Sequence, residues 1–233
     1  MLLSNDCYLQ DRCWKYQNTD ADCRHEVVYC PKLFKMDYLY NESLLTRKQR
    51  RYVPLRIDED GTDREAFSKL KQIEVNIEQF VSDGKNLYLH SQNCGNGKTE
   101  WSIRMLQSYI SQVWHKSDLT CKVLFVHVPR YLGALKNSFN ESDEYAEHVK
   151  ANILKADLVV FDEIATKVGT QFELETLLSL INTRLDMNKS NIYTSNVCGQ
   201  ELKDKIGDRL YSRVVNMSVD IELFGKDKRS LSV

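Results

Sequence analysis

Residues 87–99 read Leu87-Tyr88-Leu89-His90-Ser91-Gln92-Asn93-Cys94-Gly95-Asn96-Gly97-Lys98-Thr99. A short apolar run, a glycine-rich turn and a helix-patterned stretch succeed one another there, which is the setting of a phosphate-binding loop. Backbone N–H groups at a helix N-terminus point at an anion. Lys98 is placed to reach β/γ-phosphates and the Thr99 hydroxyl to ligate Mg²⁺. Gly95, Asn96, Gly97, Lys98 and Thr99 are therefore the candidate ATP-binding residues. The strict form of the loop has glycine where this chain has Gln92, so its first turn departs from the pattern.

Downstream, Leu158-Val159-Val160-Phe161-Asp162-Glu163 is an apolar run ending in two carboxylates. It reads as a buried parallel strand whose C-terminal end faces a ligand crevice. Alone it would be an ordinary core strand followed by an acidic turn. Following the Lys98-Thr99 loop, it gives Asp162 the task of holding Mg²⁺ through water and Glu163 that of polarising the attacking water.

The rest of the chain fits around these two strands. Further strand candidates lie at 122–128, 191–195 and 217–223, and amphipathic stretches around 99–114, 143–155, 171–186 and 200–215. Phe67, Leu70, Ile73, Ile77, Phe80 and Val81 fall at three- and four-residue spacings and predict one helix from Arg64, stopped at Gly84. Strands alternating with helices argue for a parallel sheet covered on both faces.

Composition is that of a globular protein with a sizeable core: 233 residues, 42% hydrophobic, 28% charged, formal net charge −1. That balance gives no bulk reason to bind nucleic acid or a membrane. Neither a membrane span nor a leader is legible, so a cytoplasmic protein with reduced thiols is expected. Of the seven cysteines, Cys7, Cys13, Cys23 and Cys30 crowd the start, with His25 among them. Thiolate and imidazole are preferred Zn²⁺ ligands, and four suffice for a closed tetrahedral site. A segment this short builds no stable core unaided, whereas a structural zinc contributes ~10–16 kcal/mol in finger peptides. Cys30 is favoured as fourth ligand, with His25 the alternative. Cys94, Cys121 and Cys198 stand alone and read as buried fillers. The basic run Arg47-Lys48-Gln49-Arg50-Arg51, followed by Pro54, reads equally as a solvated connector and as a nucleic-acid or partner contact. The expected organisation is a zinc-binding module at 1–50, a basic linker at 51–60 and an α/β nucleotide-binding domain at 61–233.

Two more constellations narrow the class. Ile192-Tyr193-Thr194-Ser195-Asn196 is an apolar strand ending in three hydrogen-bonding side chains. If it lies beside the acidic strand, Asn196 approaches the γ-phosphate. Gly207-Asp208-Arg209-Leu210-Tyr211-Ser212-Arg213 places two arginines four apart on one helical face.

With GNGKT, LVVFDE, TSN and GDRLYSR in that order, the chain resembles the AAA+ helicase loaders of the DnaC/DnaI type, including their phage versions. The resemblance spans roughly residues 85–216. It implies that Lys98 and Thr99 are Walker A residues and Asp162 and Glu163 the Walker B pair. It further implies that Asn196 is sensor 1, Arg213 the arginine finger and Arg209 part of the same box, with Arg229 the nearest sensor 2 candidate. An AAA+ P-loop ATPase core without a lid domain is expected. The cysteine cluster is similar in kind to the zinc-binding helicase-docking domain of the DnaI branch. Implied partners are a replicative DNA helicase, single-stranded DNA and further copies of the chain, in the host cytoplasm if the chain is phage-encoded. An arginine finger completes a neighbour's site and can be worth ~10³–10⁵ in rate; hydrolysis then reports correct assembly, which suits a loader. The alternatives are a non-hydrolysing nucleotide-gated adaptor or inhibitor of a helicase and an IstB-type transposition-helper ATPase. A nucleotide kinase fits poorly, because residues 131–150 lack a cluster of phosphate-clamping arginines.

Overall fold

A computed structural model describes residues 30–52, 54–55, 61–137, 142–165 and 170–225. Its frame is a five-stranded parallel sheet ordered β2-β3-β4-β1-β5, formed by β1 (Leu87–His90), β2 (Val123–His127), β3 (Leu158–Asp162), β4 (Ser190–Ser195) and β5 (Val219–Glu222). The inner strands are buried on both faces, which is why β3 appears in the sequence as an unbroken apolar run up to Asp162, while β4 buries polar residues at both of its ends. The chain leaves β1 and re-enters the sheet at the far edge with β2, so strand order reverses beside β1. Ligands of open α/β sheets lie at the carboxyl ends of strands at such a switch point.

Successive side chains point to opposite faces, and each face carries its own core. Leu87, Leu89, Val123, Val160, Ile192 and Ile221 meet α1 (Pro31–Glu42), α2 (Arg64–Val75), α3 (Ile77–Ser82) and α4 (Lys98–Val113). Tyr88, Leu124, Val126, Val159, Phe161 and Tyr193 meet α5 (Val128–Asn137), α6 (Glu144–Asn152), α7 (Gln171–Asp186) and α8 (Gly199–Tyr211). The sheet is thus covered on both sides, as its sequence pattern predicts.

Three departures from the sequence expectation have physical causes. First, residues 31–51 pack on the α/β unit instead of belonging to a separate 1–50 module. Met36, Leu39, Tyr40 and Leu45 are buried in the first core. Ser43 O accepts Phe125 N–H at 2.8 Å, and Gln107 Nε2 donates to Gln49 O and Arg51 O at 2.7 and 3.1 Å. Second, the single helix expected from Arg64 to Gly84 breaks at Asn76, whose backbone turns to ψ 27; the break leaves Val75 71% exposed and sends Ile77 into the core. Gly84 ends the second piece at φ 65, where a Cβ would lie 2.2 Å from Asn188 Oδ1. Third, α5 was not expected, because Pro129 and Gly133 weaken its signal, yet proline suits a first helical turn. A further feature holds the sheet: Arg184 of α7 is fully buried, with no carboxylate paired to it among the described residues. Its guanidinium donates to Ala156 O at 2.9 Å, Ser190 O at 2.7 Å, Asn191 Oδ1 at 2.6 Å and Ile153 O. Burial lowers its pKa to about 10, and the cation ties α7 to β4 and to the α6–β3 turn. No described helix is long and apolar enough to cross a membrane.

Candidate nucleotide-binding site

Beyond β1 the chain crosses to α4 through a loop with two left-handed glycines, Gly95 at φ 75 and Gly97 at φ 104. A Cβ at Gly97 would meet only Trp101, at 4.0 Å, so its positive φ rather than crowding demands glycine. Gly97 caps α4 without a side chain, leaving the first-turn N–H groups turned to the cleft for an anion. The departure at Gln92 is accommodated by Ser91, whose hydroxyl accepts Asn93 N–H at 3.0 Å and the Asn96 amide. Gln92 stays outside the left-handed region. Asn96 is buried and also donates to Leu223 O at 2.9 Å, anchoring the loop to the end of β5. Lys98 Nζ donates to Asn93 O at 2.9 Å and Asn96 Oδ1 at 3.1 Å, oxygens that a phosphate can replace.

Because β3 lies between β2 and β4, groups from three strands meet above the loop. Asp162 Oδ1 accepts from Thr99 Oγ1 at 3.0 Å and from Thr194 Oγ1 at 2.8 Å. Burial pushes the Asp162 carboxyl above the usual carboxylate range; the two threonine hydrogen bonds oppose that shift, Glu163 adds to it and His127 reduces it. A buried carboxyl of this kind gains when a divalent cation arrives. Glu163 takes a left-handed φ of 58, unusual for a residue with a side chain and costing about 1–3 kcal/mol. Its N–H donates to Thr194 Oγ1 at 2.9 Å, which holds the reversal. The Glu163 carboxylate emerges half-exposed with Oε2 3.3 Å from His127 Nε2.

Asn196 follows β4, and β4 does lie beside the acidic strand. Gly95, Asn96, Gly97, Lys98, Thr99, Glu163 and Asn196 line one cleft of about 200 Å³. A larger cleft of about 410 Å³ opens at the other end of the sheet, around Tyr109, Lys122, Asp157 and Lys189. It has no glycine-rich loop, and Asp157 pairs with both Lys189 and Lys122, at 2.7 and 3.9 Å. The phosphate chemistry therefore belongs to the smaller cleft.

Arg209 and Arg213 do not line that cleft. Both are exposed; Arg213 Nε donates to Asn182 Oδ1 on α7 at 2.8 Å. Gly207, at φ 76 and ψ 161, breaks α8, and Arg213 sits past the break in the π-helical turn Ser212–Asn216. Cys30 Sγ accepts Leu33 N–H at 3.5 Å and caps α1. Cys7, Cys13, Cys23, His25 and Arg229 lie outside the described residues. Sequence reasoning missed His127 and the double role of Thr194, both of which depend on register between neighbouring strands. A hydroxyl one strand away from an apolar-Asp-Glu end was the available signal.

No protein-family model matches this chain, and no curated protein matches it in sequence. Solved structures do match. The DnaC helicase loader superposes with a TM-score of 0.57 at 18% identity, over 79% of this chain and 98% of its own. DnaI gives 0.60 at 19% identity, over 80% of this chain and 95% of its own. The replication initiator DnaA bound to AMPPCP and single-stranded DNA gives 0.53 at 19%, over 70% of this chain and 46% of its own. The chain shares its fold with the DnaC helicase loader, DnaI and the DnaA initiator.

Proposed function

We propose that this protein is an ATP-dependent loader that binds a replicative DNA helicase and helps place it on single-stranded DNA. The observation that carries this reading is the convergence of Lys98, Thr99, Glu163 and Asn196 on one cleft, with Asp162 hydrogen-bonded to Thr99 beneath it, in a fold shared with a helicase loader over nearly that protein's full length. In the reaction, first-turn N–H groups of α4 and Lys98 hold the triphosphate. Thr99 would hold Mg²⁺ directly and Asp162 through water, and the ion would supply positive charge to the phosphate oxygens. Glu163 takes the proton side of the attacking water, and Asn196 orients that water against the γ-phosphate. Arg213 acts on the nucleotide of an adjacent copy, in keeping with its exposure and its distance from its own cleft.

Residues 1–29, with Cys30 at the start of α1, form the helicase-docking part and hold Zn²⁺ through Cys7, Cys13, Cys23 and Cys30, with His25 the alternative to Cys30. The test is capture of purified replicative helicase on the immobilised full chain, with and without ATP and single-stranded DNA. Stoichiometric, nucleotide-dependent capture supports the reading. Absence of capture under every condition excludes it and leaves the IstB-type helper as the AAA+ alternative.

A further inference from the structure

Cys198 does not behave as the buried filler its isolation suggests. It is half-buried and belongs to neither apolar core. Among the described residues, His90, Cys198 and Glu222 are a group whose ligand atoms all lie within 4.8 Å of one another. We infer that these three residues form a binding site for one zinc-type transition-metal ion beneath the nucleotide loop, where it pins the turn that carries Asn196.

Topology makes the juxtaposition. β1 and β5 pair in parallel with His90 opposite Glu222 and Tyr88 opposite Asp220, so these four side chains share one face. β4 flanks β1 on its other side. The turn beyond β4, held by Tyr88 Oη donating to Val197 O at 2.9 Å, delivers Cys198 over the same face, at the cap of α8.

The histidine supplies the second, independent sign of a ligand. It is 93% buried by its 7% exposure. Nε2 lies 2.9 Å from Asp220 Oδ1, while Nδ1 is buried without a hydrogen-bond partner. A buried ring nitrogen is costly to leave unpaired. A carboxylate on one nitrogen, fixing the tautomer and directing the other nitrogen outward, is the usual support of a metal-binding histidine. Imidazole, thiolate and carboxylate are the donor set zinc accepts, with a fourth position for water.

Tetrahedral bonds of ~2.0–2.3 Å put ligand atoms about 3.5 Å apart, so binding needs a closure of about 1 Å, within reach of rotation by the half-buried Cys198 and Glu222 side chains. The thiol proton leaves on binding. The ion then joins β1, β5 and the β4–α8 turn. Leu223, next to Glu222, already holds His90 O through its N–H at 2.9 Å and the loop through Asn96. The site stands whether or not the nucleotide reading does.

The experiment is thiol alkylation of the full chain with N-ethylmaleimide, with and without Zn²⁺, read at each cysteine by peptide mass spectrometry. Zinc should slow alkylation of Cys198 at least about tenfold, while the exposed Cys94 serves as the internal control and keeps its rate. Asp220→Asn should raise the zinc concentration for half-protection about 10–100-fold, and Glu222→Gln, a half-exposed position that tolerates the change, should raise it at least as much. A Cys198 rate unmoved by zinc overturns the inference. So does protection shared equally by Cys94, or protection unchanged in both variants.

Discussion

Thr194 Oγ1 donates to Asp162 Oδ1 across the β3–β4 pair at 2.8 Å. The same oxygen receives the Glu163 N–H, so one hydroxyl fixes the Asp162 carboxylate and the backbone turn that presents Glu163. Thr194→Val keeps the volume and removes both interactions. Hydrogen bonds to charged groups contribute about 1.5–3 kcal/mol, so turnover of ATP should fall about tenfold to a hundredfold while nucleotide affinity stays within about threefold. Steady-state kinetics beside equilibrium nucleotide binding separates the two; an affinity loss as large as the turnover loss would make Thr194 a binding residue instead.

Asp162 gives a pH signature. Its carboxyl is raised, chiefly by burial, so at neutral pH the folded protein holds a charge that the unfolded chain holds at lower cost. Between the usual carboxylate pKa and the raised one the folded state binds more protons, and stability falls as pH rises through that window. Asp162→Asn preserves the acceptor for Thr99 and Thr194 and removes the charge. The nucleotide-free variant should melt higher than wild type at pH 7, by about 2–4 °C per kcal/mol in a chain of this size. The gap should close as pH falls through the window, and Mg²⁺-dependent hydrolysis should be lost. Calorimetry across pH checks the sign, and a variant that melts lower at pH 7 would contradict it.

Arg213 is exposed and bonded to Asn182, away from its own cleft. Arg213→Ala should bind ATP as wild type does and fail to hydrolyse it in assemblies. Mixing it with Lys98→Ala subunits should partly restore turnover, because the second variant lends its arginine to a neighbour with an intact lysine. Full activity of Arg213→Ala alone would reduce the residue to a surface contact worth ~0–1 kcal/mol.

For the N-terminal cysteines, the expectation is one zinc per chain in Cys198→Ser, a background that removes the second candidate site. Under reducing conditions, elemental analysis giving below about half an equivalent would refute a four-ligand structural site there.

Where the sheet lies was legible from the apolar centres of its inner strands, unbroken from Leu158 to Phe161 in β3 and reduced to Ile192-Tyr193 in β4. Loop and acidic pair were legible for the same reason, each being adjacent in sequence to a strand end. α1 was hidden because it buries only Met36, Leu39 and Tyr40 in a stretch whose other aromatics mask the spacing. The break at Asn76 was hidden because Ile77 keeps the helical rhythm on paper while the chain turns. What the sequence withheld most was register: that His127 faces Glu163, that Thr194 reaches Asp162, and that His90 stands opposite Glu222. Each is a contact between strands, set by the pairing of the whole sheet and by no local pattern.

The loading reaction itself is the most direct measurement. Purified helicase, closed single-stranded DNA circles and ATP are combined with this protein or with Lys98→Ala, and helicase stably encircling the circles is counted. The wild type should transfer helicase onto the circles in an ATP-dependent way, and Lys98→Ala should leave it in solution. If the wild type captures the helicase yet holds it off the DNA, with or without ATP, the protein is a docking inhibitor and the loader account is contradicted.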